Sequence, residues 1–535
     1  MDDVSGVETT LSRWFRGHWQ SVFIIVAIAG VAIYLEWGPL TKPGFPYPND
    51  FFSNLIPVLH ARASVASGEL PLYTEQWYGG EWQFANPLWK GFYPPWWPMF
   101  LPWVPMLAYY KFLYAAHIIA TAAVSYVYGR RYLNQLSASV IALLFTLIII
   151  HFNGHIEKVL SWPWIVLGLW QLHPSQIDTD PSRAGLLAGF GVAAGYLSGS
   201  IYFGTYLLVA AACVFVARRS AAAMRTAVLS GLIATPKILS LIPVLLRDTA
   251  RPQMGGGLSV TQILTGLSGY WLVENELSRG PLTFESYAVV GFPMVLLGIA
   301  GFWLLYYTED TERKHWGVGV TAAIVLGVAL SMGVRIAYDL PVVQFLRVAP
   351  RGVYLVLLGV VLLAVVAIRA GERAEYRPLR VAIAVAVVLA AVNGVAVAAE
   401  TQQSTGGYNV ETGDQVAAAL AATTCDDIWV EAGVPDDPEV GYTLTKEGYR
   451  LQVTYYGRYG QEYAINNSDG TVAFDALLVN EPISVGGPVR LTGQWGAARQ
   501  FIFDSSQVRE YTTVNSTGGP VYIYTRPSCH PSATA

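Results

Sequence analysis

This sequence is poor in charge. Only 13% of its 535 residues are Asp, Glu, Lys or Arg, against 53% hydrophobic residues. A soluble domain carries roughly a quarter of its residues as charges. Mean hydropathy is +0.40, and a chain this long cannot hide that inside one soluble core, because its surface still needs polar cover. The scarcity excludes an ordinary soluble enzyme, a disordered scaffold and a nucleic-acid-binding protein, and leaves a polytopic membrane protein. Cysteine is scarcer still. Cys213, Cys425 and Cys529 are too few for a disulfide-dense secreted scaffold or a multi-cysteine zinc site.

The charges that are present are unevenly spread. From Glu400 onward there are 16 acidic and 7 basic residues, a net charge of −9, so the remainder holds +5 of the overall −4. This tail has no long apolar run. Stretches such as YRLQVTYY and PVYIYTRP alternate like short strands. The expected organisation is a transmembrane domain over 1–399, its first external loop at about 39–107, then a small β-rich or α+β soluble domain over 400–535.

Apolar runs of spanning length fall near 19–38, 108–128, 136–152, 159–173, 184–199, 201–217, 226–246, 288–307, 316–334, 352–369 and 380–399, about 11 spans in a mostly α protein. The proline-broken segment PPWWPMFLPWVPM (Pro94–Met106) reads as re-entrant or interfacial. With that count, Arg13, Arg16, Arg130, Arg131, Arg218, Arg219, Arg225, Arg313, Lys314, Arg369, Arg373, Arg377 and Arg380 share one side. The positive-inside bias makes that side cytoplasmic, with the N-terminus inside and the C-terminal domain outside. No cleavable signal peptide is evident in the first span. Sequons at Asn466 and Asn515, and a disulfide that Cys425 and Cys529 could form, agree with an external tail.

The external segments hold the unusual residues. The first loop opens with Asp50, followed by an amphipathic stretch of the kind that lies along a membrane surface. It also carries Glu69, Glu75, Glu81, Lys90 and many aromatics. An interfacial aromatic belt explains the aromatics but not Asp50. HFNGHIEKVLSWPW places His151, His155, Glu157 and Lys158 at a span end, where ionisable groups are expensive and tend to be functional. Arg347 and Arg351, four apart at the mouth of span ten, present guanidinium forks suited to a phosphate. Pairing with lipid phosphates is the plainer reading of these arginines.

Several of these pieces together resemble the GT-C superfamily of polytopic glycosyltransferases, and particularly its YfhO-like branch. They are Asp50, GELPLY (Gly68–Tyr73) with the following WYGG, FYPPWW, NGH at Asn153–His155 with SWPW after it, and FLRVAPRG at Phe345–Gly352. The resemblance spans roughly residues 19 to 370. It implies a sugar transferase that uses a polyprenyl- or dolichyl-phosphate sugar at the extracytoplasmic face. The acceptor would be a glycan, a lipid-linked glycan or a protein. The chain has no WWD-type acceptor motif, which argues against en bloc transfer to asparagine.

On that reading Asp50 is the base that takes the acceptor proton, with Glu157 as second choice. Arg347 and Arg351, assisted by His155 and Lys158, stabilise the departing phosphate. Glu69, Tyr73, Trp77, Tyr78 and Trp82 contact sugar or acceptor. The sequence demands no metal; a divalent cation such as Mg²⁺ or Mn²⁺ stays open. The alternative is a transporter or flippase of a lipid-linked or small-molecule substrate, which would place ionisable groups near mid-membrane rather than in external loops. An accessory or anchoring protein working through its tail is a third reading. Asp178 and Asp180 form a DxD of the kind that holds a divalent ion for a nucleotide sugar; a polar turn is the simpler reading.

Overall fold

The structure is a computed structural model describing residues 4–41, 49–71, 73–74, 81–82, 89–152, 155–239, 257–268, 289–338, 346, 349–402, 411–430, 437–447, 449–453, 475–479, 488–492, 500–504, 509–516 and 519–529. The chain forms two compact units. One comprises 1–41, 111–239 and 245–405; the other comprises 42–110, 240–244 and 406–535.

The first unit is helical. Its elements are α1 (Val4–Leu35) and α2 (Trp37–Thr41), and then, after α3 (Asn49–Ala66) of the second unit, α4 (Met106–Gly129), α5 (Gln135–Leu147), α6 (Ile156–Gln171), α7 (Pro174–Thr179), α8 (Pro181–Leu197), α9 (Ile201–Ala217) and α10 (Ala221–Gly231). A short helix α11 covers 235–239. It is followed by α12 (Val260–Ser268), α13 (Phe292–Tyr307), α14 (Thr311–Ser331), α15 (Arg335–Tyr338), α16 (Val353–Glu372) and α17 (Arg377–Gln402).

Six of the described helical stretches are long and apolar enough to cross a membrane: His18–Leu35, Met106–Gly129, Gln135–Phe152, Thr311–Ser331, Ala349–Glu372 and Arg377–Ala399. Ile201–Ala217 and Phe292–Tyr307 are shorter apolar helices. The protein is a multi-pass membrane protein. Its outward residues, such as Phe23, Val228, Ile299 and Val392, are exposed and apolar, as a lipid solvent requires.

Small residues let these helices approach. A Cβ on Gly185 would meet the Ala223 carbonyl oxygen at 2.0 Å, and one on Gly189 the Ala227 carbonyl oxygen at 2.2 Å, so α8 and α10 touch backbone to backbone. The helix starts are capped from within. Asn134 accepts from Ser137 N (3.0 Å), Asp180 from Arg183 N (2.9 Å), and Asp310 from Glu312 N and Arg313 N (3.0 and 3.1 Å).

The second unit joins the first-loop residues to the tail. Helix α3 is followed by the antiparallel pair β1 (Tyr73–Thr74) and β2 (Glu81–Trp82), in which Tyr73 opposes Trp82. The Pro94–Met106 segment opens as a 3-10 helix over Pro94–Phe100, with Trp96, Met99 and Phe100 buried. The tail supplies α18 (Glu411–Leu420), β3 (Asp427–Val430), α19 (Asp437–Lys446), β4 (Arg450–Val453), β5 (Ala476–Val479), β6 (Pro488–Thr492), β7 (Gln500–Asp504), β8 (Arg509–Ser516) and β9 (Gly519–Thr525).

Five of these strands make a mixed sheet in the order β4-β3-β5-β9-β8, and β6 pairs with β7 separately. β3, α19 and β4 form a crossover between parallel neighbours, so the tail is α+β. Its core is Val416, Leu420, Ile428, Val430, Leu444, Leu478 and Ile523 with their neighbours. A disulfide between Cys425 and Cys529 closes that core across 104 residues of sequence. Helix α19 packs against α3, so a tail helix supports the helix on which Asp50 begins.

Candidate functional site

At one end of the helical unit, three connections converge. The 3-10 turn Ile148–Phe152 prolongs α5 towards α6, Ser198–Ser200 joins α8 to α9, and the 3-10 turn Ala349–Gly352 leads into α16. Aromatic rings weld them together. Phe152 lies 5.2 Å from Phe203, 5.4 Å from Trp162 and 5.9 Å from Tyr354, and Phe203 lies 5.0 Å from Tyr354. Gly199 makes the α8–α9 turn possible, with a φ of 89° that a side chain resists.

The polar groups sit on this aromatic floor. His155 precedes the first turn of α6, and its Nδ1 lies 3.1 Å from Glu157 Oε1. His151, His155, Glu157 and Lys158 are all buried. Glu157 in the first helical turn also complements the positive end of the helix dipole. Half-buried Arg351 places its guanidinium 4.4 Å from the centre of the Tyr202 ring. The structure therefore brings His155, Glu157, Lys158 and Arg351 to one end of one unit, although almost 200 residues separate α6 from α16 in sequence. A buried acid beside a histidine can exchange protons, and a guanidinium held on an aromatic face can take a phosphate oxygen.

The other sequence candidates belong to the second unit or lie outside the described residues. Asp50 is in the first turn of α3, and its side chain is outside the described residues, as are those of Tyr73 and Trp82. Arg347, Trp77 and Tyr78 lie outside them altogether. Glu69, just beyond α3, is exposed. The α3 scaffold is held by two cations. Buried Lys90 donates to Asn54, one turn after Asp50, and stands 5.1 Å from the Trp96 ring. Arg62 donates to the carbonyls of Val104 (3.0 Å), Met99 (3.3 Å) and Pro102.

Burial pushes the Tyr442 hydroxyl of α19 up to about 12, against the opposing pull of the Arg62 charge. Burial likewise lowers Arg62 from its ordinary value.

The DxD resolves into structural roles. Asp178 pairs with Arg218, which also reaches Glu312 at 2.7 Å, and Asp180 caps α8. These contacts belong to the opposite, basic end of the helical unit. There Asn134 N donates to Glu372 (3.0 Å), Arg369 to Ser175 (3.1 Å) and Trp316 to the Leu172 carbonyl (2.6 Å). The turns carrying Arg130, Arg218, Arg313 and Arg369 thus share one end, as the charge pattern predicts. Among the described residues no group of three or more His, Cys, Asp or Glu is placed to hold a metal ion.

Sequence reasoning passed over several buried ionisable groups in this unit, among them Glu36 just after α1 and Lys237 in α11. Both sit in or beside apolar spans, and a lone charge at the edge of an apolar run is the signal that could have found them.

No protein-family model matches the chain, and no curated sequence relative was found. Solved structures do share its fold. The apo oligosaccharyltransferase of Archaeoglobus fulgidus is similar with a TM-score of 0.53 at 11% identity, over 87% of this chain and 70% of that one. Apo ArnT from Cupriavidus metallidurans is similar with a TM-score of 0.50 at 11% identity, over 96% of this chain and 99% of that one. The fold that this chain shares with them is GT-C-like.

Proposed function

We propose that the protein is a GT-C membrane glycosyltransferase, of the YfhO-like branch. It moves a sugar from a polyprenyl- or dolichyl-phosphate donor to a glycan, lipid-linked glycan or protein acceptor at the extracytoplasmic face. The observation that carries this reading is the GT-C-like fold over nearly the whole chain, with Arg351 and the His155–Glu157 pair gathered at one end of its helices.

In this mechanism the acceptor hydroxyl attacks the anomeric carbon and Asp50 takes its proton, with Glu157 as the alternative base. The bond from that carbon to the phosphate oxygen breaks, and its electron pair leaves on the phosphate. Arg351 and Arg347, with Lys158 and His155, stabilise that charge in a site of low dielectric. Glu69, Tyr73, Trp77, Tyr78 and Trp82 bind sugar or acceptor, the aromatic rings by stacking on sugar faces.

The N-terminus and the basic end of the helices lie in the cytoplasm. The tail, braced by its disulfide, lies outside. A panel of polyprenyl-phosphate sugars offered to purified protein tests the reading. Release of polyprenyl phosphate coupled to acceptor modification supports it. Turnover of a soluble nucleotide sugar without lipid donor, or substrate flux without glycosylation, overturns it.

A further inference from the structure

We propose that the basic end of the helical unit holds a site for the phosphate headgroup of an anionic phospholipid, formed by Arg313, Arg369 and Arg373 with Lys314 on its lipid side. The inference uses only the membrane-spanning fold and does not depend on the transferase reading. Glycines fix the register that assembles the site. A Cβ on Gly327 would meet Val356 N at 2.9 Å, and one on Gly359 the Ile324 side chain. Helix α14 therefore runs antiparallel to α16, and the same pairing sets its first turn, with Arg313 and Lys314, beside Arg369. A Cβ on Gly298 would meet Val360 at 3.1 Å, and one on Gly301 the Leu363 carbonyl oxygen. Helix α13 thus runs parallel to α16 and brings Tyr307 to the same level. The charges of Arg313 and Arg373 both act on Arg369, and those of Arg313 and Arg369 both act on buried His173. Three guanidinium groups from two helices share one neighbourhood.

Like charges gathered at the edge of an apolar bundle repel one another, and the carboxylates beside them are committed. Asp310 caps α14 and pairs with Arg313 (3.0 Å), Glu312 pairs with Arg218 (2.7 Å), and Glu372 accepts from Asn134 N (3.0 Å). Arg369 donates to Ser175 at 3.1 Å, which fixes its stem. Lys314 and Arg373 are exposed and enter no salt bridge among the described residues. A phosphate oxygen accepts from such guanidinium forks and relieves their repulsion. Basic pockets between membrane helices take lipid headgroups in this way. The surrounding surface selects a lipid over a free ion. From Lys314 one outward stripe of α14 continues through Val318 and Val325, 63% and 62% exposed, as a bed for acyl chains. On the neighbouring helix end Tyr306 and Tyr307 are exposed with rings 5.1 Å apart, the kind of residue that sits at headgroup level.

Native mass spectrometry of the full-length protein, released from nanodiscs of equal parts phosphatidylglycerol and phosphatidylcholine, tests the inference. Wild type should retain phosphatidylglycerol in preference. Arg313→Gln and Arg373→Gln should each lower that preference about fivefold, the attraction of one basic residue for an anionic headgroup. Arg225→Gln removes an exposed charge from α10 at the same end of the unit and should leave the preference unchanged. Where Arg313→Gln does not fold, Lys314→Gln combined with Arg373→Gln carries the same test on exposed positions. Equal retention of both lipids by wild type overturns the site. So does an equal loss in Arg225→Gln, which would mean diffuse attraction to a basic surface. Displacement of the lipid by inorganic phosphate at matching concentration would make this a free-anion site and overturn the lipid assignment.

Discussion

The guanidinium of Arg351 stands 4.4 Å from the centre of the Tyr202 ring. The contact joins the mouth of α16 to the first turn of α9, and it holds a flexible side chain in place before any ligand arrives. Cation–π contacts contribute about 0.5–2 kcal/mol, which corresponds to roughly 2- to 30-fold in an equilibrium constant. Tyr202→Leu should weaken donor binding within that range, while Tyr202→Phe, which keeps the ring, should stay near wild type. Titration of the donor lipid against both variants is the check.

The helical packing makes a prediction independent of function. Gly185→Ala drives a methyl into the Ala223 carbonyl, whereas a Cβ at Gly231 meets nothing within 4 Å. Gly185→Ala should lower the melting temperature in detergent or abolish folded protein. Gly231→Ala should be neutral or stabilising by up to about 1 kcal/mol, as expected when alanine replaces glycine in a helix.

The Cys425–Cys529 disulfide closes a 104-residue loop, and a cross-link of that span stabilises by about 4–5 kcal/mol in the chain-entropy account. Maleimide labelling of unfolded protein should modify only Cys213 without reductant and all three cysteines after reduction. Cys425→Ser should leave the tail protease-sensitive in the full-length protein.

Alkaline pH should loosen the second unit. Burial raises Tyr442 to about 12, above the ordinary value near 10. The unfolded chain therefore loses this proton first. The stabilising contribution is complete below pH ~10 and is lost as pH rises from ~10 towards 12. Tyr442→Phe should flatten that part of the stability profile, read from tryptophan fluorescence melts between pH 8 and 11.

Much of this architecture was legible in the sequence, because hydropathy and charge are averages over many residues. The runs at 108–128, 316–334 and 352–369 correspond to α4, α14 and α16, and the arginine-bearing turns do share an end. His151, His155, Glu157 and Lys158 stood out because four ionisable groups at the edge of an apolar run are rare. Lys237 did not, because its burial depends on which face of α11 turns inward, and an apolar run does not mark that face. Nor could composition show that α19 packs on α3. The tail and first loop are far apart in sequence, and neither carries a pattern that names the other.

The central claim is base-assisted transfer from a lipid phosphate held by arginine. The most direct measurement is single-turnover transfer from a polyprenyl-phosphate sugar by wild type, Asp50→Asn and Arg351→Ala, with donor binding measured in parallel. Removal of a general base costs about 10²–10⁴ in rate. Asp50→Asn should therefore lose turnover on that scale while still binding donor, Arg351→Ala should lose donor affinity as well as rate, and Glu157→Gln should lose less than Asp50→Asn. Undiminished transfer by Asp50→Asn and Arg351→Ala would contradict the account.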